Sequence, residues 1–163
     1  MKFQKYAGIV LICGYCIYCG FTPDSWHFID NVNLIFHEAG HTIFMFFGDF
    51  IHVAAGSGFQ ITLPLFLAGY FFFTNQKISG ALTLAWAGQN FVNVSVYARD
   101  AVVMQLPLLG GDGVMHDWHY LLETLGLLSH TTFIANTIYA LGMTTIFTSL
   151  ILSIYFSSVK VEI

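Results

Sequence analysis

The chain has 163 residues, of which 56% are hydrophobic and only 9% charged, with 17 Phe. Soluble domains carry about a quarter of their residues as charges, so this composition reads as a membrane protein and excludes an ordinary soluble domain. Five basic residues against nine acidic ones leave no basic patch, which argues against nucleic acid as a partner.

At this length the expected architecture is one all-α integral membrane domain over residues 1–163. It is a bundle of about five transmembrane helices in a lipid bilayer, with one glycine-rich re-entrant or extended segment. Lys2 and Lys5 precede an apolar run over residues 6–21, read as a retained first span because no small-x-small cleavage site follows. The two lysines favour a cytoplasmic N-terminus, but five basic residues are too few to fix a topology. Within that run Cys13, Cys16 and Cys19 drift round the helix among apolar neighbours. They suit a helix–helix contact better than an iron–sulfur run or a disulfide framework.

Asp30 and Asn31 are capping residues for a second span over residues 32–50, which should end near Gly48-Asp49. Residues 51–60 are rich in glycine and small side chains and are expected to be extended or re-entrant, bordering the site. A short third span over residues 61–73 contains Pro64, and Thr74-Asn75-Gln76-Lys77 makes a turn.

The fourth span, residues 78–98, aligns Gln89, Asn93 and Asp100 on one helical face, flanked by Asn90 and Tyr97. Such a stripe should face the bundle interior or a water-filled passage to the site. A turn-rich loop over residues 104–113 leads to His116-Asp117-Trp118-His119. That run opens a short amphipathic helix over residues 120–128, with Asp117 as its N-cap. A fifth span over residues 133–156 closes the bundle, and Lys160 and Glu162 form a solvated tail.

The chemistry concentrates in His37-Glu38-Ala39-Gly40-His41, inside the second apolar run. Residues i and i+4 share a helix face, so His37 and His41 can aim two imidazoles at one metal ion. Glu38 falls beside that face and can take a proton from water activated at the metal. An ionisable group in hydrocarbon costs about 2.5–3.5 kcal/mol, so a metal site is the stronger reading than a polar cluster gluing helices together. Catalytic zinc keeps three protein ligands and an open position. Asp100, backed by the Gln89–Asn93 face, is the first candidate for the third ligand, and His116 the second. Asp112, Asp117 and His119 are further candidates, while His27, His52 and His130 lack partners at ligand spacing and read as interfacial.

The HEAGH run with Phe47-Gly48 at its exit resembles the first motif of the site-2 protease family of intramembrane zinc metalloproteases. Ala55-Gly56-Ser57-Gly58-Phe59 is similar to the segment that forms short strands near that family's site. Asn93 to Asp100 stands where the family has its second motif, one residue shorter, without the proline, and with Ala101 in place of glycine. The chain also resembles a group of small bacterial membrane proteins over residues 34–128. These pair a HEAGH helix with Leu-Pro-Leu-Leu-Gly-Gly and His-Asp-Trp, a likeness that implies a role for His116, Asp117 and Trp118.

Together these readings imply a zinc-dependent intramembrane hydrolase of the bacterial inner membrane, a peptidase acting on a membrane protein or peptide substrate. Zn2+ is the expected cofactor and Glu38 the general base. A lipid amide or ester hydrolase using the same metal, or a non-catalytic membrane binding or assembly protein, are the alternatives.

Overall fold

The computed structural model describes residues 2–109, 111 and 113–158. Asp112, Lys160 and Glu162 lie outside the described residues. Six α-helices follow in order: α1 (Lys2–Phe21), α2 (Phe28–Phe44), α3 (Asp49–Phe73), α4 (Lys77–Arg99), α5 (Asp117–Thr124) and α6 (Thr131–Ser158). Single 3-10 turns sit at Met45–Phe47 and Leu128–His130, and no strand occurs among the described residues.

Two stretches, Asp49–Phe73 and Leu128–Ser158, are long and apolar enough to cross a membrane. The apolar part of α1, Tyr6–Phe21, is shorter. The 17-residue α2 is shorter than a full span and carries Asp30, Asn33, His37, Glu38 and His41, while α4 carries Gln89, Asn90 and Asn93. Those polar groups face inward rather than outward. Asn33, Gln89 and Asn90 are buried.

The second helix starts earlier than the expected residue 32. His27 is its N-cap, and Asp30 sits in the first turn, where its Oδ2 accepts the His27 backbone N–H at 2.7 Å. This is the reciprocal arrangement of a capping box, with the acid inside the helix rather than at the cap.

The glycine-rich stretch over residues 51–60 is neither extended nor re-entrant; it is the first half of α3. Gly48, at φ +87°, absorbs the chain reversal after the 3-10 turn, so nothing downstream needs an irregular backbone. A helix also satisfies its own backbone groups, which an extended segment at that depth would not. The small residues serve close packing instead: a Cβ on Gly40 would run into the Ala55 carbonyl across the α2–α3 contact.

α4 is central, packed against α6, α3 and α1. Gly88 and Gly142 let α4 and α6 cross closely, since a Cβ on either would lie 2.8 Å from the other's carbonyl oxygen. Ile9, Cys13, Cys16, Ala85, Val92 and Ile146 form the core cluster at this crossing. All three cysteines are free and buried there or beside it, as the helix-contact reading expects. α5 docks on the other side. Trp118 Nε1 donates to Ser57 Oγ at 3.0 Å and His119 Nδ1 to the Ala101 carbonyl at 2.8 Å.

Candidate metal centre

His37 and His41 project from one face of α2 toward α3 and the start of α5. His37 Nδ1 faces Gln60 Oε1 at 3.2 Å, and His41 Nδ1 faces the His52 carbonyl at 2.9 Å. Both partners are oxygen acceptors, so each Nδ1 carries the ring proton and each Nε2 presents its lone pair. The two Nε2 atoms lie 3.0 Å apart. Asp117 Oδ2 completes the group, 2.9 Å from His37 Nε2 and 3.1 Å from His41 Nε2.

Three acceptors this close repel unless positive charge sits between them. A proton can serve one contact at a time; a metal ion serves all three. A tetrahedral site with arms of about 2.0 Å has ligand atoms about 3.3 Å apart, so an opening of a few tenths of an ångström suffices. Two imidazoles and a carboxylate are also a donor set that suits zinc and its neighbours. His37, His41 and Asp117 therefore form a group that fits a metal ion.

Close packing of α3 makes room for this group. A Cβ on Gly56 would fall 2.5 Å from His41 Nε2 and 2.7 Å from His37 Nε2, so only glycine permits the approach. His52, expected to be interfacial, instead clasps α2 to α3: its Nδ1 donates to the His41 carbonyl at 3.0 Å while its own carbonyl accepts from His41. His27 is also buried, bonded to Thr22 Oγ1 at 2.9 Å and paired with Asp30 at 3.3 Å. His130 is exposed beside Ser129.

The structure puts Asp117, not Asp100 or His116, against the two imidazoles. Asp100, at the C-cap of α4, accepts the backbone N–H groups of Gln105 and Leu106, both at 2.9 Å. His116 is the N-cap of α5, the place expected for Asp117. Its Nδ1 accepts the His119 N–H at 3.2 Å, which leaves the ring proton on Nε2, 3.3 Å from Asp100 Oδ2. With one nitrogen accepting and the other donating, His116 has no lone pair free for a metal. Asp100 and His116 instead fix the turn that delivers Asp117. His119 is turned away, onto the Ala101 carbonyl.

Electrostatics agree with these assignments. Burial pulls the Asp117 carboxyl upward, but positive charge at its His37 and His41 contacts pulls harder and leaves it below the usual carboxylate range; bare lone pairs alone would not do so, and a cation among the three groups does. Burial lowers His116, outweighing the opposing pull of Asp100 and favouring the neutral ring.

A cavity of about 870 Å³ opens onto the group, lined by His37, Glu38, His41, Asp117, His52, Tyr97 and Asn93 at its polar end. Leu34, Val53, Leu106, Leu108, Val114 and Met115 are among its apolar walls, and among the described residues no lysine or arginine lines it. The Glu38 carboxylate is half-buried and has no hydrogen-bond or ion-pair partner among the described residues. Tyr97 Oη accepts the Asp117 N–H at 3.0 Å.

The α4 stripe is not an open water passage. Gln89 is 2% exposed and bonded at both ends, to Asn33 and Asp30, and of Gln89, Asn93 and Asp100 Asn93 alone borders the cavity. Trp26, on the link before α2, and Leu109 and Met115, on the stretch before α5, line the cavity and are exposed. No known protein family, curated protein or solved structure matches this chain.

Proposed function

We propose that this chain is a zinc-dependent hydrolase embedded in the bacterial inner membrane, with peptide bonds as its substrates. α3 and α6, joined by α1 and α4, would form the membrane-spanning frame, and α2 with α5 would hold the site inside it. One observation carries the reading: three acceptor atoms converge within 3.1 Å of one another at the wall of a cavity that a free carboxylate also lines.

His37, His41 and Asp117 would hold the ion at the cavity wall. Bound there, zinc supplies a Lewis acid that brings the pKa of water down to about 7. Glu38 would take the proton at its carboxylate and pass it to the leaving amine. Its lack of a partner among the described residues supports catalysis over a purely structural metal, since a structural site uses four protein ligands and needs no free carboxylate.

Among the described residues no lysine or arginine lines the cavity, so away from the metal group no cationic head would pair with a phosphate, which supports a peptide over a phospholipid substrate. The apolar walls suit an extended, uncharged segment. The test is hydrolysis of a quenched fluorescent casein in detergent micelles by wild-type protein and by Glu38→Gln. Zinc-dependent cleavage lost in the variant supports the reading; cleavage that survives in the variant, or none in either protein with zinc bound, overturns it.

A further inference from the structure

We infer that Asp30, about two turns before His37 on α2 and not in contact with the metal group, is a positioning residue for it: through Asn93 and Gln60 it dictates which nitrogen of His37 offers a lone pair to the ion. This rests on the reading of His37 as a metal ligand.

The Asp30 carboxylate is 4% exposed and can only accept. Oδ1 receives Gln89 Nε2 at 2.8 Å and Asn93 Nδ2 at 3.0 Å. Oδ2 receives the His27 backbone N–H at 2.7 Å, with His27 Nδ1 at 3.3 Å. Because Asn93 must turn its amino group to Asp30, its oxygen is left for Gln60 Nε2, at 2.7 Å. Gln60 therefore presents its own oxygen to His37 Nδ1, at 3.2 Å. The ring proton must sit on Nδ1, and Nε2 is left bare. Each link is forced by the one before it.

A second arm confirms the polarity. Trp86 Nε1 can only donate, and it donates to Asn33 Oδ1 at 2.9 Å. Asn33 Nδ2 then donates to Gln89 Oε1 at 2.6 Å, and Gln89 to Asp30. With a compulsory donor at one end and an acceptor at the other, neither amide has a second orientation. Metal-binding histidines are commonly oriented by a carboxylate on the other ring nitrogen. Here two amides carry that influence across the α3–α4 contact.

Asp30→Asn exposes the dependence. The His27 N–H is held by the main chain, so the new amide keeps its oxygen there and turns its amino group on both Asn93 and Gln89; Gln89, which cannot reverse, loses this acceptor and its side chain draws back. Asn93 and Gln60 then relax by reversing, which places a donor against His37 Nδ1 and moves the ring proton to Nε2. The loss expected from disturbing such a partner is about 10–100-fold in metal affinity.

The experiment measures zinc affinity in detergent by chelator competition for wild type, Asp30→Asn, Gln60→Met and the double variant. Circular dichroism serves as the folding control. Both single variants should bind about 10–100-fold more weakly, and Asp30→Asn should add nothing once Gln60→Met has cut the chain. Nitrogen-15 spectra of the metal-free proteins should show His37 protonated at Nδ1 in wild type and at Nε2 in Asp30→Asn.

Wild-type affinity in Asp30→Asn, or losses that multiply in the double variant, would overturn the inference. Should Asp30→Asn fail to fold, Asn93→Leu cuts the same chain with Asp30 intact, and wild-type affinity there is equally fatal. If wild type binds no zinc, the metal reading fails, while the His37 spectrum still decides whether Asp30 sets the ring.

Discussion

His37 Nε2 and His41 Nε2 face each other at 3.0 Å while both Nδ1 atoms are committed to carbonyl-type oxygens. Two lone pairs held that close by the surrounding bonds are favourable only around a cation. Purified protein should therefore carry about one zinc per chain by elemental analysis, and His37→Ala/His41→Ala should carry none. Equal metal in the two proteins would end the metal reading. Chelation of wild type should also lower its thermal midpoint, because a ligand bound only to the folded state stabilises by RT ln(1 + [L]/Kd).

The third ligand can be tested by contrast. Asp117→Ala removes the only carboxylate grouped with the two imidazoles among the described residues, and zinc affinity should fall by at least about 100-fold, the upper end of what disturbing a ligand's partner alone costs. Asp100→Asn should retain the metal. The amide has one oxygen, so it keeps one of the two backbone bonds to Gln105 and Leu106 and loses the other, but no atom facing His37 or His41 changes. A variant Asp100→Asn that loses zinc while Asp117→Ala keeps it would reverse the assignment.

Much of the helical frame was legible because apolar runs and polar breaks alternate plainly along the chain. Thr22-Pro23-Asp24 and Thr74-Asn75 separate helices in the structure as they do in the sequence. The His37–His41 pair was legible from its spacing alone. Asp117 stood behind Asp100 and His116 among the candidates because His37 lies 80 residues away and its own sequence context reads as a helix cap. The glycine stretch misled for a different reason. Glycine signals either a special backbone angle or a close approach, and only the three-dimensional contact of Gly56 with two imidazoles shows which one applies. Likewise the Gln89–Asn93 face pointed inward as expected, but nothing in the sequence shows that Asp30 receives both amides.

Glu38→Gln should separate binding from catalysis. The amide keeps the size of the side chain, and Glu38 has no bonded partner among the described residues to lose. Zinc content should match wild type, while hydrolysis of a verified substrate should fall by about 10²–10⁴-fold, the usual contribution of a general base. Turnover at the wild-type rate would remove Glu38 from the mechanism.

Gly56 and Gly58 offer the cleanest test of how the site is built. They lie two positions apart in α3, so an added methyl brings similar gains in helix propensity, up to about 1 kcal/mol over glycine. Their surroundings are opposite. A Cβ at Gly58 meets nothing within 4 Å, whereas one at Gly56 would meet His41 Nε2 at 2.5 Å and His37 Nε2 at 2.7 Å. Gly58→Ala should leave zinc content unchanged and keep or slightly raise the thermal midpoint. Gly56→Ala must push both rings off their present positions or part α2 from α3, and either movement separates the ligand atoms from Asp117. Zinc should be lost from Gly56→Ala while its circular dichroism remains helical. If Gly56→Ala binds zinc as tightly as Gly58→Ala, the imidazoles do not meet the metal where α3 passes closest.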